Sequence, residues 1–253
     1  TTEIYTLSLH DALPILLRAA QNGHLSVVKI LLAKGANLHV NTFDLSGKGG
    51  TALIQAARNG HTKVLPALLN AGAKIDETEM MFHHSALMVA ALNGHEKSVE
   101  FLLDAGANST LRNTSNRPAL LLAATNNHLS VVIRILDAEQ SGDQTDSNGN
   151  GIWHLMAMSD VEYENSQIAF YSEQKEENAP MLMHELISRG IMLDSLNNDG
   201  ETALMIAVKR GKVRIIKNLL ELGASRNILT PDGKSALTFA EASGNDELVK
   251  LLR

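Results

Sequence analysis

The sequence contains no cysteine, which excludes disulfides, thiol catalysis and cysteine-ligated zinc or iron–sulfur centres. Aromatic residues make up only 4% of the chain, with a single Trp, so there is little material for an aromatic-lined cofactor pocket. An excess of positive charge is also missing. The 22 Lys and Arg face 28 Asp and Glu, a net charge of -6, which argues against nucleic acid or an anionic membrane as the main partner. No apolar run approaches the roughly 20 residues that a membrane-spanning helix needs. Against these absences, 44% hydrophobic and 20% charged residues are typical of a folded chain, and 253 residues are ample for a core.

What the chain has in abundance is repetition. A Leu or Trp is followed three and four residues later by small residues, then by Gly-His or a relative of it. The clearest copies begin at Leu16 (LLRAAQNGH), Leu53 (LIQAARNGH), Leu87 (LMVAALNGH) and Leu120 (LLLAATNNH). Weaker copies begin at Trp153, Leu204 and Leu237, and the anchors are spaced 37, 34, 33, 33, 51 and 33 residues apart. The unit is therefore 33 residues long, with insertions of 4, 1 and 18.

Each copy continues into a second apolar stretch, such as VVKILLAKGA or RIIKNLLELGA. Apolar residues there recur every three or four positions, which predicts an amphipathic helix closed by a glycine. That Gly is Gly35, Gly72, Gly106 and Gly223 in four copies, while Glu139 takes its place in the fourth repeat. Asp199-Gly200 and Asp232-Gly233 are turn signals between units. Each unit is thus expected to run helix, turn, helix and then a hairpin-like connection.

This pattern resembles the ankyrin repeat, with its T-P-L-H-x-A-A and G-H signatures and its LLxxGA ending. Thr51-Ala52-Leu53, Thr202-Ala203-Leu204 and Ser235-Ala236-Leu237 stand where the family has Thr-Pro-Leu, and His154 holds the family's His position. The resemblance covers seven units and implies an all-α repeat solenoid stabilised by nearest-neighbour interfaces. Residues 16–253 are read as one array, with the insertion at about 159–177 in repeat five. The final unit stops inside its second helix with no polar cap, so the array is expected to be truncated there.

Thr1 to Ile15, TTEIYTLSLHDALPI, stands apart from the repeats. All fifteen positions resemble the conceptual translation of a common sequencing adapter, so they are excluded from functional reasoning as a tag would be. On this reading the native N-terminus is absent. The compartment then stays open between the cytoplasm and a secreted-effector type.

Several motifs invite a chemical reading and fail it. Ser46-Gly47-Lys48-Gly49-Gly50-Thr51 lacks the Gly at position 42 and the hydroxyl after Lys that a phosphate loop requires. Asp143 to Gly149 hints at a calcium loop but places Gln144 and Leu155 where acidic ligands are needed. His83 and His84 are two adjacent candidate ligands without a third. His24, His61, His95 and His128 occupy one repeat position, where a turn or helix-cap hydrogen bond is expected. No catalytic residue, cofactor or metal is expected, and the chain reads as a monomeric, non-enzymatic binding array.

The ankyrin resemblance implies a concave face of hairpin tips and first helices that binds a protein partner. Large apolar residues interrupt the polar tips at Phe43 and at Met80, Met81 and Phe82, with Arg112 and Asn113 on the next tip. These either form a contact patch or fold back onto their own hairpins. The insertion in repeat five is acidic and carries Tyr163, Phe170 and Tyr171, which suit docking to a basic partner or merely extend two helices. An alternative for the whole is a recognition segment of a longer enzyme or bacterial effector.

Overall fold

The computed structural model describes residues 12–42, 49–139, 142–159 and 179–253. Among the described residues the regular structure is helical, and the only strand-like pairings are isolated bridges of Thr42 with Gly50 and Thr78 with Ser85. The chain divides into two compact units, Thr1–Ala119 and Leu120–Arg253.

Unit 1 contains α1 (Ala12–Gln21), α2 (Leu25–Ala33), α3 (Ala52–Arg58), α4 (Leu65–Asn70), α5 (Ala86–Leu92) and α6 (Glu96–Asp104). Unit 2 opens with α7 (Ala119–Thr125) and α8 (Leu129–Glu139), then α9 (Ile152–Met158) and α10 (Ala179–Ser188). It closes with α11 (Ala203–Lys209), α12 (Val213–Glu221), α13 (Ala236–Ser243) and α14 (Asp246–Leu252). Within unit 1, α3 packs between α1 and α5; within unit 2, α11 packs between α9 and α13.

The first helix of a repeat is short and apolar all round, as an element enclosed by its neighbours must be. In α3 every residue from Ala52 to Ala57 is buried, and in α5 every residue from Ala86 to Ala91. The Ala56-Ala57 and Ala90-Ala91 pairs are fully enclosed, so the small side chains bring adjacent helices close. In four of these helices a hydroxyl sets the start. Thr51, Ser85, Thr202 and Ser235 accept the backbone N–H of Ile54, Met88, Met205 and Thr238 respectively.

The second helices bury one stripe only. In α6 this is Ser98, Val99 and Leu102, and in α12 it is Ile216 and Leu219. Gly35, Gly72, Gly106, Gly190 and Gly223 follow these helices with positive φ. Where Glu139 stands instead, α8 runs on to eleven residues against nine in α6.

The repeated histidine does not cap its own helix. His24 and His95 precede α2 and α6, yet neither side chain makes a cap hydrogen bond. The ring reaches back to the preceding repeat instead. His61 Nε2 lies 2.8 Å from the Gln21 carbonyl oxygen, and His95 Nε2 lies 2.9 Å from that of Arg58. Each ring thus satisfies a carbonyl that the end of a helix leaves open. It also lies against the glycine of the earlier turn, so the Gly-His pair is a contact between repeats.

That contact distinguishes two glycines. Gly60 (φ +70°) would place a Cβ 2.6 Å from His95 Nδ1, whereas a Cβ on Gly72 (φ +98°) would meet nothing within 4 Å. Gly72→Ala should cost about 1–2 kcal/mol from backbone strain alone. Gly60→Ala should cost more, because it also displaces the ring. Urea unfolding of both variants checks this, and equal losses would contradict it.

Candidate partner-binding site

The hairpin connections share one local design. A buried or half-buried polar residue opens the turn and accepts the turn's own backbone N–H groups. Asn113 Oδ1 accepts from Ser115 and Arg117, Asp146 Oδ1 from Asn148 and Asn150, and Asn197 Oδ1 from Asp199 and Glu201, all at 2.9–3.0 Å. The turn then needs a left-handed residue. Asn116, Gly149, Gly200 and Gly233 supply it at φ of 60°, 74°, 71° and 78°.

The second hairpin of unit 1 is the variant among them. Glu79 takes the opening position and is only 2% exposed. Its carboxylate accepts three backbone N–H groups, from Met81 at 2.6 Å, Phe82 at 2.7 Å and His84 at 3.2 Å. The Glu79 N–H in turn donates to the His84 carbonyl at 3.0 Å. The loop is one residue longer than its counterparts, and His83 holds the left-handed position at φ 56°. His83 is exposed while His84 is buried, so the two rings sit in different environments.

This anchored loop presents the apolar residues. Met80 is 55% exposed and Phe82 39%, whereas Met81 is half-buried. The Phe82 ring lies tilted beside His84 of its own hairpin, with centroids 5.7 Å apart, and remains partly exposed. The third hairpin is tied to it, with the Thr114 N–H donating to the Phe82 carbonyl at 3.0 Å. Arg112 is exposed, and its guanidinium donates to the Asn116 carbonyl at 2.7 Å. Asn113 is half-buried and faces His84, its Nδ2 lying 3.0 Å from His84 Nε2. Of the residues that sequence reasoning put forward, the structure therefore gathers Met80, Phe82, Arg112 and Asn113 on two linked hairpins. Phe43, Tyr163, Phe170 and Tyr171 lie outside the described residues.

Among the described residues no group of three or more His, Asp or Glu side chains is placed to hold a metal ion. In unit 2 a cavity of about 20 Å³, lined by Asn127, Met156, Met183 and Asn218 among others, is the size of a water molecule. Among the described residues no helix is long and apolar enough to cross a membrane.

Comparison with known proteins decides the family. The family described as ankyrin repeats (3 copies) matches residues 16–113, 87–165 and 170–253. The chain belongs to the ankyrin repeat family. A solved structure of the human ASB11 ankyrin repeat domain superposes with a TM-score of 0.73 at 22% identity, covering 94% of this chain and 95% of that one. At that identity the likeness is one of fold. The E3 ubiquitin-protein ligase KEG of Arabidopsis thaliana is 37% identical over 62 residues, which are 24% of this chain and 4% of that protein. Ankyrin repeats are generally protein–protein interaction modules, and this all-helical repeat chain is one of them by fold.

Two buried histidines carry the pH dependence. His154 in α9 is fully enclosed; Nδ1 accepts the Gly151 N–H at 3.2 Å, leaving Nε2–H to donate to the Glu201 carbonyl at 3.0 Å. Burial, partly offset by its backbone acceptors, pushes its pKa below the ordinary 6.5. His84 is lowered too, by burial first and by Arg58, against the raising effect of Glu79. Sequence reasoning recognised His154 only as a family position; no sequence signal marked Glu79 as the loop's anchor.

A depressed histidine pKa means that the folded state binds fewer protons than the unfolded chain. The stability it contributes is therefore complete above pH 6.5 and is lost as pH falls through the folded values. Urea midpoints should decline from pH 7 to pH 5, with a shallower decline in a folded His154→Gln variant. His83→Gly should raise stability by up to about 1 kcal/mol, because glycine accepts positive φ without strain. Thermal unfolding of that variant measures the gain.

Proposed function

We propose that this protein is a non-enzymatic scaffold that binds a protein partner through its hairpin tips. Met80 and Phe82 act as apolar anchors, with Arg112 and Asn113 providing polar contacts beside them. The observation that carries this reading is two large apolar side chains held in solvent by a loop whose backbone is fastened to a buried carboxylate. A surface fixed in advance loses little conformational entropy on association. A few such anchors commonly supply most of an interface's affinity. Adaptable Met beside a rigid aromatic suits recognition of an apolar peptide or protein surface.

A second reading rests on the match to an E3 ubiquitin-protein ligase, in which the aligned stretch is 4% of a far longer protein. On that reading the repeats are the recognition arm of a longer enzyme. Sequencing the source locus across both ends of the reading frame separates the two: a frame that soon closes favours the scaffold, and one that enters another domain favours the arm.

The interface itself is tested by affinity capture with the wild-type chain and a Met80→Ala/Phe82→Ala double variant. Circular dichroism establishes that the variant is folded. Proteins that bind the wild type should bind the double variant at least tenfold more weakly, about 1.4 kcal/mol. They should still bind a Met192→Ala control, which removes an exposed apolar group far along the chain from these hairpins. Undiminished binding by the folded double variant would refute the assignment.

A further inference from the structure

The link between the second and third hairpins of unit 1 depends on which nitrogen of a buried imidazole carries a proton. Asn113 Oδ1 is occupied by the N–H groups of Ser115 at 3.0 Å and Arg117 at 2.9 Å, which fixes the orientation of the amide. The group turned toward His84 Nε2 is therefore the Nδ2 amine, at 3.0 Å. An amine can only donate here, so His84 Nε2 must be bare and the proton must sit on Nδ1. That nitrogen faces Glu79 Oε1 at 3.7 Å. Flipping the Asn113 amide to meet a second ring proton would cost both backbone hydrogen bonds.

Unit 2 contains the same junction built without a titratable group. Asn150 occupies the position of His84, at the close of its hairpin. Its Nδ2 faces Asp146 Oδ2 at 3.4 Å, and its Oδ1 accepts Asn197 Nδ2 at 3.1 Å. The backbone link is reproduced as well: Asn198 N–H donates to the Asn148 carbonyl at 3.0 Å, as Thr114 N–H donates to Phe82. Both junctions thus span a carboxylate on one hairpin and an amide on the next. One uses a side chain that can gain a proton near neutral pH, and the other uses one that cannot.

We infer that the Asn113–His84 hydrogen bond is a proton-sensitive latch between the second and third hairpins of unit 1, closed when His84 is neutral and opened when it is protonated. Protonation places Nε2–H against the Asn113 amine, two donors with no acceptor between them. It also strengthens the attraction of the ring to Glu79, drawing it toward its own hairpin. The charged groups acting on the ring are Glu79 on that hairpin and Arg58 on α3. Arg112 and Arg117 are the titratable residues of the facing hairpin, and α5 carries none. Phe82 lies beside the ring and accepts from Thr114, so opening the latch releases one of the proposed anchors. That last consequence rests on the proposed function; the latch itself does not.

The test needs no partner. Long-range ¹H–¹⁵N spectra of the labelled full chain, taken from pH 7.5 to pH 5, report the protonation of each His84 nitrogen. Amide exchange rates of Thr114 and Asn198 are measured alongside, each corrected for the intrinsic pH dependence of exchange. At neutral pH the spectra should show a proton on Nδ1 and none on Nε2. Thr114 should lose protection at least tenfold with the midpoint of the His84 titration, while Asn198 keeps its own. His84→Asn, which copies the junction of unit 2, should hold Thr114 protected throughout.

A proton on Nε2 at neutral pH would overturn the inference. So would Thr114 protection that ignores the titration, or a matching loss at Asn198 or in His84→Asn. Should the variant not fold, the two wild-type readouts decide alone. Failure of Met80 and Phe82 to matter for capture would leave the latch untouched, and a failed latch would leave their role as anchors standing.

Discussion

A helix of seven residues has more open backbone groups at its ends than hydrogen bonds inside it, and a repeat made of such helices cannot close them by itself. In this chain the adjacent repeat closes them. His61 and His95 reach the open carbonyls of Gln21 and Arg58, and His154 adds a second hydrogen bond to the Glu201 carbonyl in the turn of the next repeat. The paired alanines allow the helices close enough for these bonds to form, and the left-handed glycines leave room for the rings. Packing and polar satisfaction are thus joined in one contact, so a repeat is complete only when it is stacked.

The hairpins extend the same logic to the edge of the array. Those described in full are held internally by one polar side chain, and in each unit one pair of hairpins is tied together by a backbone bond and a side-chain amide. The second hairpin of unit 1 departs in three connected ways. Its opening residue is a carboxylate, it has one additional residue, and a histidine occupies the strained turn position. The longer Glu79 side chain spans the enlarged loop and takes up three N–H groups that would otherwise be open. With the backbone so fastened, the tip can carry Met80 and Phe82 into solvent without collapsing onto them.

The contrast between His84 and Asn150 illustrates how a repeat array acquires individual function. Position and partners are set by the architecture, and the residue chosen decides whether the junction responds to protons. Burial holds the His84 ring neutral at physiological pH, and Glu79 nearby moderates that effect. If the two proposals hold, regulation and recognition meet on a single loop, since the ring that links the hairpins also borders Phe82.

Much of this was legible from the order of residues. The 33-residue period, the Thr or Ser before four of the first helices, the glycine after most second helices and the apolar residues of the second tip are local signals. Each acts through the backbone of its own repeat. The replacement of the closing glycine by Glu139 was visible too, and the structure shows the helix there running on to eleven residues. What only the tertiary structure decided are the contacts between repeats. The repeated histidine reads from the sequence as a turn or helix-cap hydrogen bonder, and only the structure shows that the carbonyl it serves belongs to the preceding repeat. Glu79 carried no motif, and His84 was notable only as the neighbour of His83. Glu79 acts on N–H groups two to five residues along its own hairpin. His84, His61 and His95 instead meet partners 29 to 40 residues away, brought to hydrogen-bond distance by stacking, and hydrogen bonds of that kind leave no periodic trace in a sequence.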